Sequence, residues 1–418
     1  MMEKSYFTPL FLTLIIVSAA VGTVLLLGTY FIGLVFLLAA LIIYGLYRRL
    51  SLGKSAFVGE ISSILHKAMV PALGILGAVV LGALIMVASG YNPLTAYNAL
   101  FYGGFYRNWH ISILNAAPLI FTGLSVSFAF KAGLFNIGAE GQYYIGAMAA
   151  TFFGLNLAFP PIIALPLIFV ISGLLASAWV IVPAFLKVKT GAHEVITTMM
   201  LAHTARYLSP IFIRAHGGDP ATDPQPYVTD KLPETNWLPR FNSFLPEANY
   251  RLHTGILLAV LVAILVYYIL YYTRIGFEIR AVGGNKEAAR AQGISVGKAI
   301  AAALLIAGFL AGLAGYNQVV GLNHVMYENL SAGYGWDGIS VALLAGGHPI
   351  GVIFTGLLWG ALDAGGQYMT RVTQTNKSIV EIIKGIILFL VVAKYLYVII
   401  AMKIKQRRQL KYAEEGEA

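Results

Sequence analysis

Apolar runs of about 20 residues, the length a helix needs to cross a bilayer, recur along almost the whole chain. A nearly unbroken one extends from Phe7 to Tyr47. Others follow at Ala68–Gly90, Ile111–Phe130, Ile137–Leu155, Ile162–Leu186, Glu194–Ile213, Thr254–Tyr272, Ala299–Val320 and Ile379–Ala401. One more region, Gly338–Gln367, is interrupted by Gly346-Gly347-His348-Pro349 and reads as two short or re-entrant helices. The pattern predicts an all-α, polytopic membrane protein of about 11–12 transmembrane helices, some of them broken or re-entrant. Composition decides against a soluble alternative. Charged residues make up only 11% of the chain, where a soluble domain has about a quarter, so its main solvent is a lipid bilayer.

Residues 1–50 read as an N-terminal transmembrane hairpin turning near Gly28-Thr29, because the apolar run is too long for a signal-peptide core. Residues 51–401 hold the remaining spans, and 402–418 form a basic and acidic tail. The net charge of +10 lies in short gaps between apolar runs, the pattern of orientation signals and not of a nucleic-acid surface. With the N-terminus inside, eighteen of the 28 Lys and Arg fall in inside segments and seven in outside ones. That bias places both termini in the cytoplasm and the chain in the cell membrane. The outside segment Arg214–Arg251 is long, carries six prolines and Trp237, and is either a passive connector or a docking surface for an extracytoplasmic partner.

Several chemistries are excluded. There is no cysteine, hence no disulfide, thiol nucleophile or thiolate metal site. Gly53-Lys54-Ser55 ends like a phosphate-binding loop, but the required glycine five positions earlier is Arg48. His193-Glu194 begins like a zinc-protease helix, but Thr197 stands where the second histidine belongs. Thr190-Gly191-Ala192 reads instead as a cap for a helix starting there. No catalytic residue, metal site or cofactor is expected. An ion-coupled secondary transporter would use buried acids such as Glu140, Asp363 or Glu381, but no internal repeat of the usual kind is visible.

Three stretches carry polar groups into the apolar pattern. In Lys131–Gln142, Asn136, Glu140 and Gln142 sit at the cytoplasmic end of a helix, Asn136 and Glu140 on one face. They form either a structural hydrogen-bond knot or part of a translocation path. In Thr273–Ser295, Asn285 can cap a short helix beginning at Lys286 and Gly293 can end it. In Gly333–Leu344, Tyr334, Trp336 and Asp337 stand at an outside-facing helix start among glycines, as belt residues or as a site.

These stretches, with Thr190–Leu201, resemble the permease subunits of ABC importers related to the branched-chain amino-acid and ribose permeases, nearest to the nucleoside and simple-sugar branch. The matching segments are GLFNIGAEGQ at 133–142, GAHEVI at 191–196, RAVGGNKEAARAQGI at 280–294 and GYGWDGISVALL at 333–344, with departures at His193, Trp336 and Ser340. Gly90-Tyr91-Asn92-Pro93-Leu94 matches the outside end of that family's first helix. The resemblance implies a subunit that imports nucleosides, or alternatively simple sugars, paired with a second permease subunit as a homo- or heterodimer. It also implies a separate cytoplasmic ATPase, docked on a coupling segment that includes Arg280, Gly283, Asn285, Glu287, Ala288, Arg290 and Gly293, and an extracytoplasmic substrate-binding protein.

Overall fold

Backbone N–H and C=O groups in hydrocarbon must be satisfied within the protein, and helices do this residue by residue. The computed structural model describes residues 74, 76–217, 227–241 and 251–392. Its residues divide into two units, Met1–Leu73 and Gly74–Ala418. The N-terminal hairpin and the 402–418 tail both lie outside the described residues.

Within the second unit α1 covers Leu76–Ala88 and α2 covers Pro93–Phe101, followed by a π-helical turn over Tyr102–Arg107. Then come α3 (Trp109–Lys131), α4 (Ala139–Asn156), α5 (Pro161–Trp179), α6 (Ile181–Thr190) and α7 (Glu194–Ala215). After the outer segment come α8 (Gly255–Tyr272), α9 (Arg274–Gly284), α10 (Lys286–Ala291) and α11 (Val296–Tyr316), which runs on as a π-helix over Asn317–Asn323. The described chain closes with α12 (Tyr334–Leu344), α13 (Pro349–Thr373) and α14 (Ser378–Val392). Among the described residues, five spans are long and apolar enough to cross a membrane: α3, α5 with α6, α8, α11 with its π extension, and α13. The protein is therefore all-α and multi-pass.

Helix α3 is the axis. Every residue from Ala116 to Ala129 is buried, because α8, α11, α12 and α13 all pack around it. On its far side α11 presses against α4 and α5. A side chain at Gly146 would run into the Gly312 backbone, so these two glycines set the closest approach of α4 and α11.

Four features differ in detail from the sequence expectation. The 162–186 run is not one helix: it is interrupted at Val180 and continues to Thr190. Thr190-Gly191 ends that helix, with Gly191 left-handed at φ 72°, while His193 is the N-cap of α7 without a side-chain bond. Helix α2 and the π-helical turn after it belong to no apolar run of spanning length, yet Leu100 of α2 and Gly104 of the turn lie against the backbones of Gly365 and Ala361 on α13. The fourth concerns depth. The break at 345–348 falls at the Gly-Gly-His-Pro sequence as expected, but α12 does not start at the membrane surface. Its last turn leads to Gly347, beside the Lys131 side chain at the end of α3. At 1.5 Å per residue its 11 residues span about 16 Å, roughly half of a hydrocarbon core of about 30 Å. Its N-terminus therefore lies at mid-depth, and residues 324–333 fold inward from the opposite end of the bundle to reach it. A surface-belt reading fails because glycines and aromatics look the same in sequence at either depth.

Candidate functional site

The first four N–H groups of a helix have no partner inside it. In α12 the Ser331 and Gly333 carbonyls meet those of Tyr334, Trp336 and Asp337, and the N-cap, Gly333 at φ 93°, has no side chain to offer the remaining one, that of Gly335. Glu140 of α4 supplies the acceptor. Its Oε2 accepts hydrogen bonds from the Gly335 N–H and the Ser331 hydroxyl, both at 2.8 Å. A carboxylate at a helix N-terminus is favoured by the helix dipole. Gly335 rests directly on the Glu140 backbone, leaving no room for a Cβ.

Asn136 and Gln142 lie beneath, 0% and 2% exposed. Their side-chain amides pair reciprocally: Asn136 Nδ2 donates to Gln142 Oε1 at 2.9 Å and Gln142 Nε2 donates to Asn136 Oδ1 at 3.0 Å. Asn136 Nδ2 also donates to Ser125 Oγ at 3.1 Å, and the Gly138 N–H donates to Asn136 Oδ1 at 3.2 Å. Asn136→Leu leaves the Gln142 amide unpaired in a closed interior, at about 1–3 kcal/mol per orphaned group. We expect reduced yield of assembled protein, measured by size-exclusion chromatography in detergent, with Asn136→Gln milder than Asn136→Leu.

Lys384 stands inside the apolar run 379–401 and is not among the residues singled out from the sequence. It is 4% exposed and joins three helices. Its Nζ lies 2.7 Å from Asp363 Oδ1 on α13, 3.0 Å from Asp337 Oδ2 on α12 and 3.2 Å from Glu381 Oε2 on its own helix. The ammonium stands 5.9 Å from the ring centre of the buried Trp359. No signal near Lys384 announces this cluster, because Asp337 and Asp363 precede it by 47 and 21 positions.

Tyr334 donates its hydroxyl to Asn115 Oδ1 at 3.2 Å, while Trp336 and Asp337 are half-exposed. Beside them on α7 stand His203, exposed with its ring 6.3 Å from that of Trp336, and exposed Arg206, which donates to Asn329 Oδ1 at 3.1 Å. On the other side is Glu381, whose side chain is 51% exposed. This strip holds charges at membrane depth, where they are costly unless they face protein or water. By contrast the outward side of α8 offers Leu257, Leu261, Leu265 and Tyr268, a lipid-facing set.

At one end of the bundle, α9 lies against the α3–α4 link, and α10 follows it, packed on α9 and α11. Gly283 abuts the Lys131 backbone. Arg280 Nε donates to the Leu270 carbonyl at 2.9 Å, its guanidinium over Tyr271. Asn285 Oδ1 caps α10, accepting from the Glu287 and Ala288 N–H groups at 3.0 Å each, and Gly293, at φ 79°, follows its end, as the sequence predicts. Glu287, Ala288 and Arg290 are exposed. The Glu287–Arg290 pair at 2.9 Å adds little stability in water.

At the other end, Trp237 stacks on His324 with ring centres 3.8 Å apart and planes 9° apart. Arg240 Nη2 donates to His324 Nε2 at 2.9 Å, and Lys231 lies 4.7 Å over the Trp237 ring. Burial, then the Arg240 charge, holds the His324 pKa down to about 4, and burial holds that of His253 down to about 3. Both lie below the ordinary 6.5, so the unfolded chain binds more protons than the folded one from about pH 6.5 down to about pH 4. Stability accordingly falls as pH drops through that window. Thermal unfolding in detergent at pH 7 and pH 5 checks this, and His324→Gln, which removes one of the two titrating groups, shrinks the difference.

The family profile described as branched-chain amino acid transport system, permease component, matches residues 110–392. Among curated proteins, the guanosine ABC transporter permease protein NupP of Bacillus subtilis (strain 168) is 35% identical over 344 residues, 81% of this chain and 97% of that protein. The nucleoside ABC transporter permease protein NupB of Lactococcus lactis subsp. cremoris (strain MG1363) is 32% identical, over 81% of this chain and 94% of its own length. The glucose ABC transporter permease protein TsgB13 of Haloferax volcanii is 31% identical, over 78% of this chain and 87% of its own. No solved structure matches the chain. The helical, multi-pass fold, the profile match over most of the described residues and the full-length relatives lead to one conclusion: the chain belongs to the permease-component family of branched-chain amino acid transport systems and is a membrane-embedded transport subunit of the ABC type, not an enzyme.

Proposed function

We propose that the chain moves nucleosides inward across the cell membrane as one half of an ATP-driven permease pair. The observation that carries this reading is the strip of Trp336, Asp337, His203, Arg206 and Glu381 at membrane depth. Charges there need water or protein beside them, and a path shared with a second permease subunit provides both. The strip has aromatic faces for a base and carboxylates for hydroxyls, and the relatives named for guanosine and nucleosides support that cargo. Asn136, Glu140 and Gln142 hold α12 in place behind the strip. In this reading α9 and α10 face the cytoplasm, as the Lys and Arg bias suggests. The exposed α10 surface, with Arg280, Gly283, Asn285, Glu287, Ala288, Arg290 and Gly293, docks a separate ATPase. The segment around Trp237 faces outward and receives a substrate-binding protein.

The test is uptake of labelled nucleosides and ribose by cells with and without this gene, and with its ATPase partner disabled. The reading expects nucleoside uptake to vanish in both cases. The glucose relative supports a second reading, a sugar cargo, which expects loss of sugar uptake alone. Uptake indifferent to the ATPase overturns both and points to ion coupling.

A further inference from the structure

Helices α3 and α8 end together, at Lys131 and Tyr272, because α9, which follows α8, packs its Gly283 against the Lys131 backbone. Both are spans, so here the chain leaves hydrocarbon. Three basic side chains from three elements meet at this point. The Lys131 ammonium lies beside Gly347, and the next residue is His348, the N-cap of α13. The His348 ring packs on Tyr271 of α8 with centres 5.8 Å apart, and the Arg280 guanidinium lies 5.1 Å from the centre of the same tyrosine ring. Arg280 acts on Lys131 and Lys131 on His348, and no carboxylate among the described residues acts on either of these two. Donors are left over. Half-buried Lys131 makes no hydrogen bond or ion pair among the described residues. Arg280 spends only its Nε, on the Leu270 carbonyl. His348 Nδ1 accepts from the Gly351 N–H at 3.4 Å, which puts the ring proton on Nε2, a further donor.

We propose that Lys131, Arg280 and His348 hold the phosphate of an anionic lipid headgroup. Cations brought together and partly buried without an acid are costly until an anion joins them. Guanidinium and ammonium groups make charge-assisted hydrogen bonds to phosphate, and basic pockets between spanning helices suit anionic headgroups. The surface leading to the cluster makes the anion a lipid. Leu257, Leu261, Leu265, Tyr268 and Tyr272 are all exposed and follow one another at intervals of three or four, so they form one outward stripe along α8. The stripe ends at Tyr272, whose ring centre is 5.9 Å from that of Tyr267, and Tyr267 in turn is 5.5 Å from His348. An acyl chain lying on the stripe therefore brings its headgroup to the three basic groups. Just beyond, α9 exposes Ile275 and Phe277, apolar side chains that fit the boundary between headgroups and acyl chains. The inference depends neither on the cargo nor on which side of the membrane this end faces.

The experiment titrates the full-length chain, purified in mild detergent, with phosphatidylglycerol and with phosphatidylcholine of the same acyl chains, and follows the tightest-bound lipid by native mass spectrometry. Phosphatidylglycerol is expected to bind about tenfold more tightly or better. Lys131→Gln and Arg280→Gln are each expected to weaken it about fivefold, while Lys131→Arg stays within about twofold of wild type. Arg274→Gln, which removes an exposed charge paired with Glu278 on the same helix, leaves the affinity unchanged. Size-exclusion chromatography checks the fold of each variant. If Arg280→Gln fails to fold for loss of its bond to Leu270, the two Lys131 variants decide alone. Equal affinity for the two lipids overturns the proposal, and so does wild-type binding in Lys131→Gln or an equal loss in Arg274→Gln. Displacement of the lipid by inorganic phosphate assigns the cluster to a soluble anion, and displacement by the purified ATPase assigns it to a protein contact. Either result overturns the lipid site.

Discussion

Replacing Lys384 with methionine is expected to abolish transport and to cut the yield of folded protein sharply. The substitution keeps the length and the apolar stem but removes the charge that Asp363 and Asp337 share at 2.7 and 3.0 Å. Two carboxylates then face each other at membrane depth with no counter-ion. Breaking a buried ion pair on one side costs about 3–5 kcal/mol, a large share of the roughly 5–15 kcal/mol by which proteins are stable. The effect concentrates on α12, because the Lys384–Asp337 contact ties that half-helix to α14. Lys384→Met combined with Asp337→Asn and Asp363→Asn removes the orphaned charges. That triple variant is expected to recover much of the folded yield, measured by fluorescence-detected size exclusion, without recovering uptake. A single Lys384→Met variant with wild-type yield and uptake would show that the cluster holds nothing together.

The second large effect is expected at the seat of α12. Gly335→Val places a branched side chain where the Glu140 backbone already lies, so α12 must lift away from α4 and lose both hydrogen bonds to the Glu140 carboxylate. Overpacking of this kind costs about 1–3 kcal/mol, and each unpaired buried donor about 1–3 kcal/mol more. Glu140→Gln is milder, since an amide oxygen in the place of Oε2 still accepts, while Glu140→Ala loses both hydrogen bonds. The expected order of uptake is wild type, Glu140→Gln, Glu140→Ala, Gly335→Val. If Glu140 were instead a proton-coupling group, Glu140→Gln would be as damaging as Glu140→Ala and the protein would remain fully stable.

Features encoded within a few residues were legible in the sequence. The cap at Asn285, the left-handed Gly293 and the break at Gly346-Gly347-His348-Pro349 each depend on local backbone chemistry, and each falls where the sequence puts it. The apolar runs gave the helical class for the same reason. Features set by partners far along the chain were not legible. The depth of Tyr334, Trp336 and Asp337 depends on Glu140, 195 positions before Gly335. The role of Lys384 depends on two acids on other helices. His203 sits in a helix whose pattern says nothing about the indole beside it. The Asn136–Gln142 pair could be read as a knot or as a path, and only its burial and reciprocal bonding favour the knot.

The most direct measurement uses the absence of cysteine from the natural sequence, which lets single cysteines report alone. Trp336→Cys and His203→Cys, with Leu261→Cys on the outward face of α8 as reference, are exposed to a membrane-impermeant thiol reagent in sealed vesicles of the assembled complex. The account predicts rapid modification at 336 and 203, slowed by saturating nucleoside, and none at 261. Trp336→Cys and His203→Cys as unreactive as Leu261→Cys would place the strip in lipid or in a closed interior, and would contradict the account.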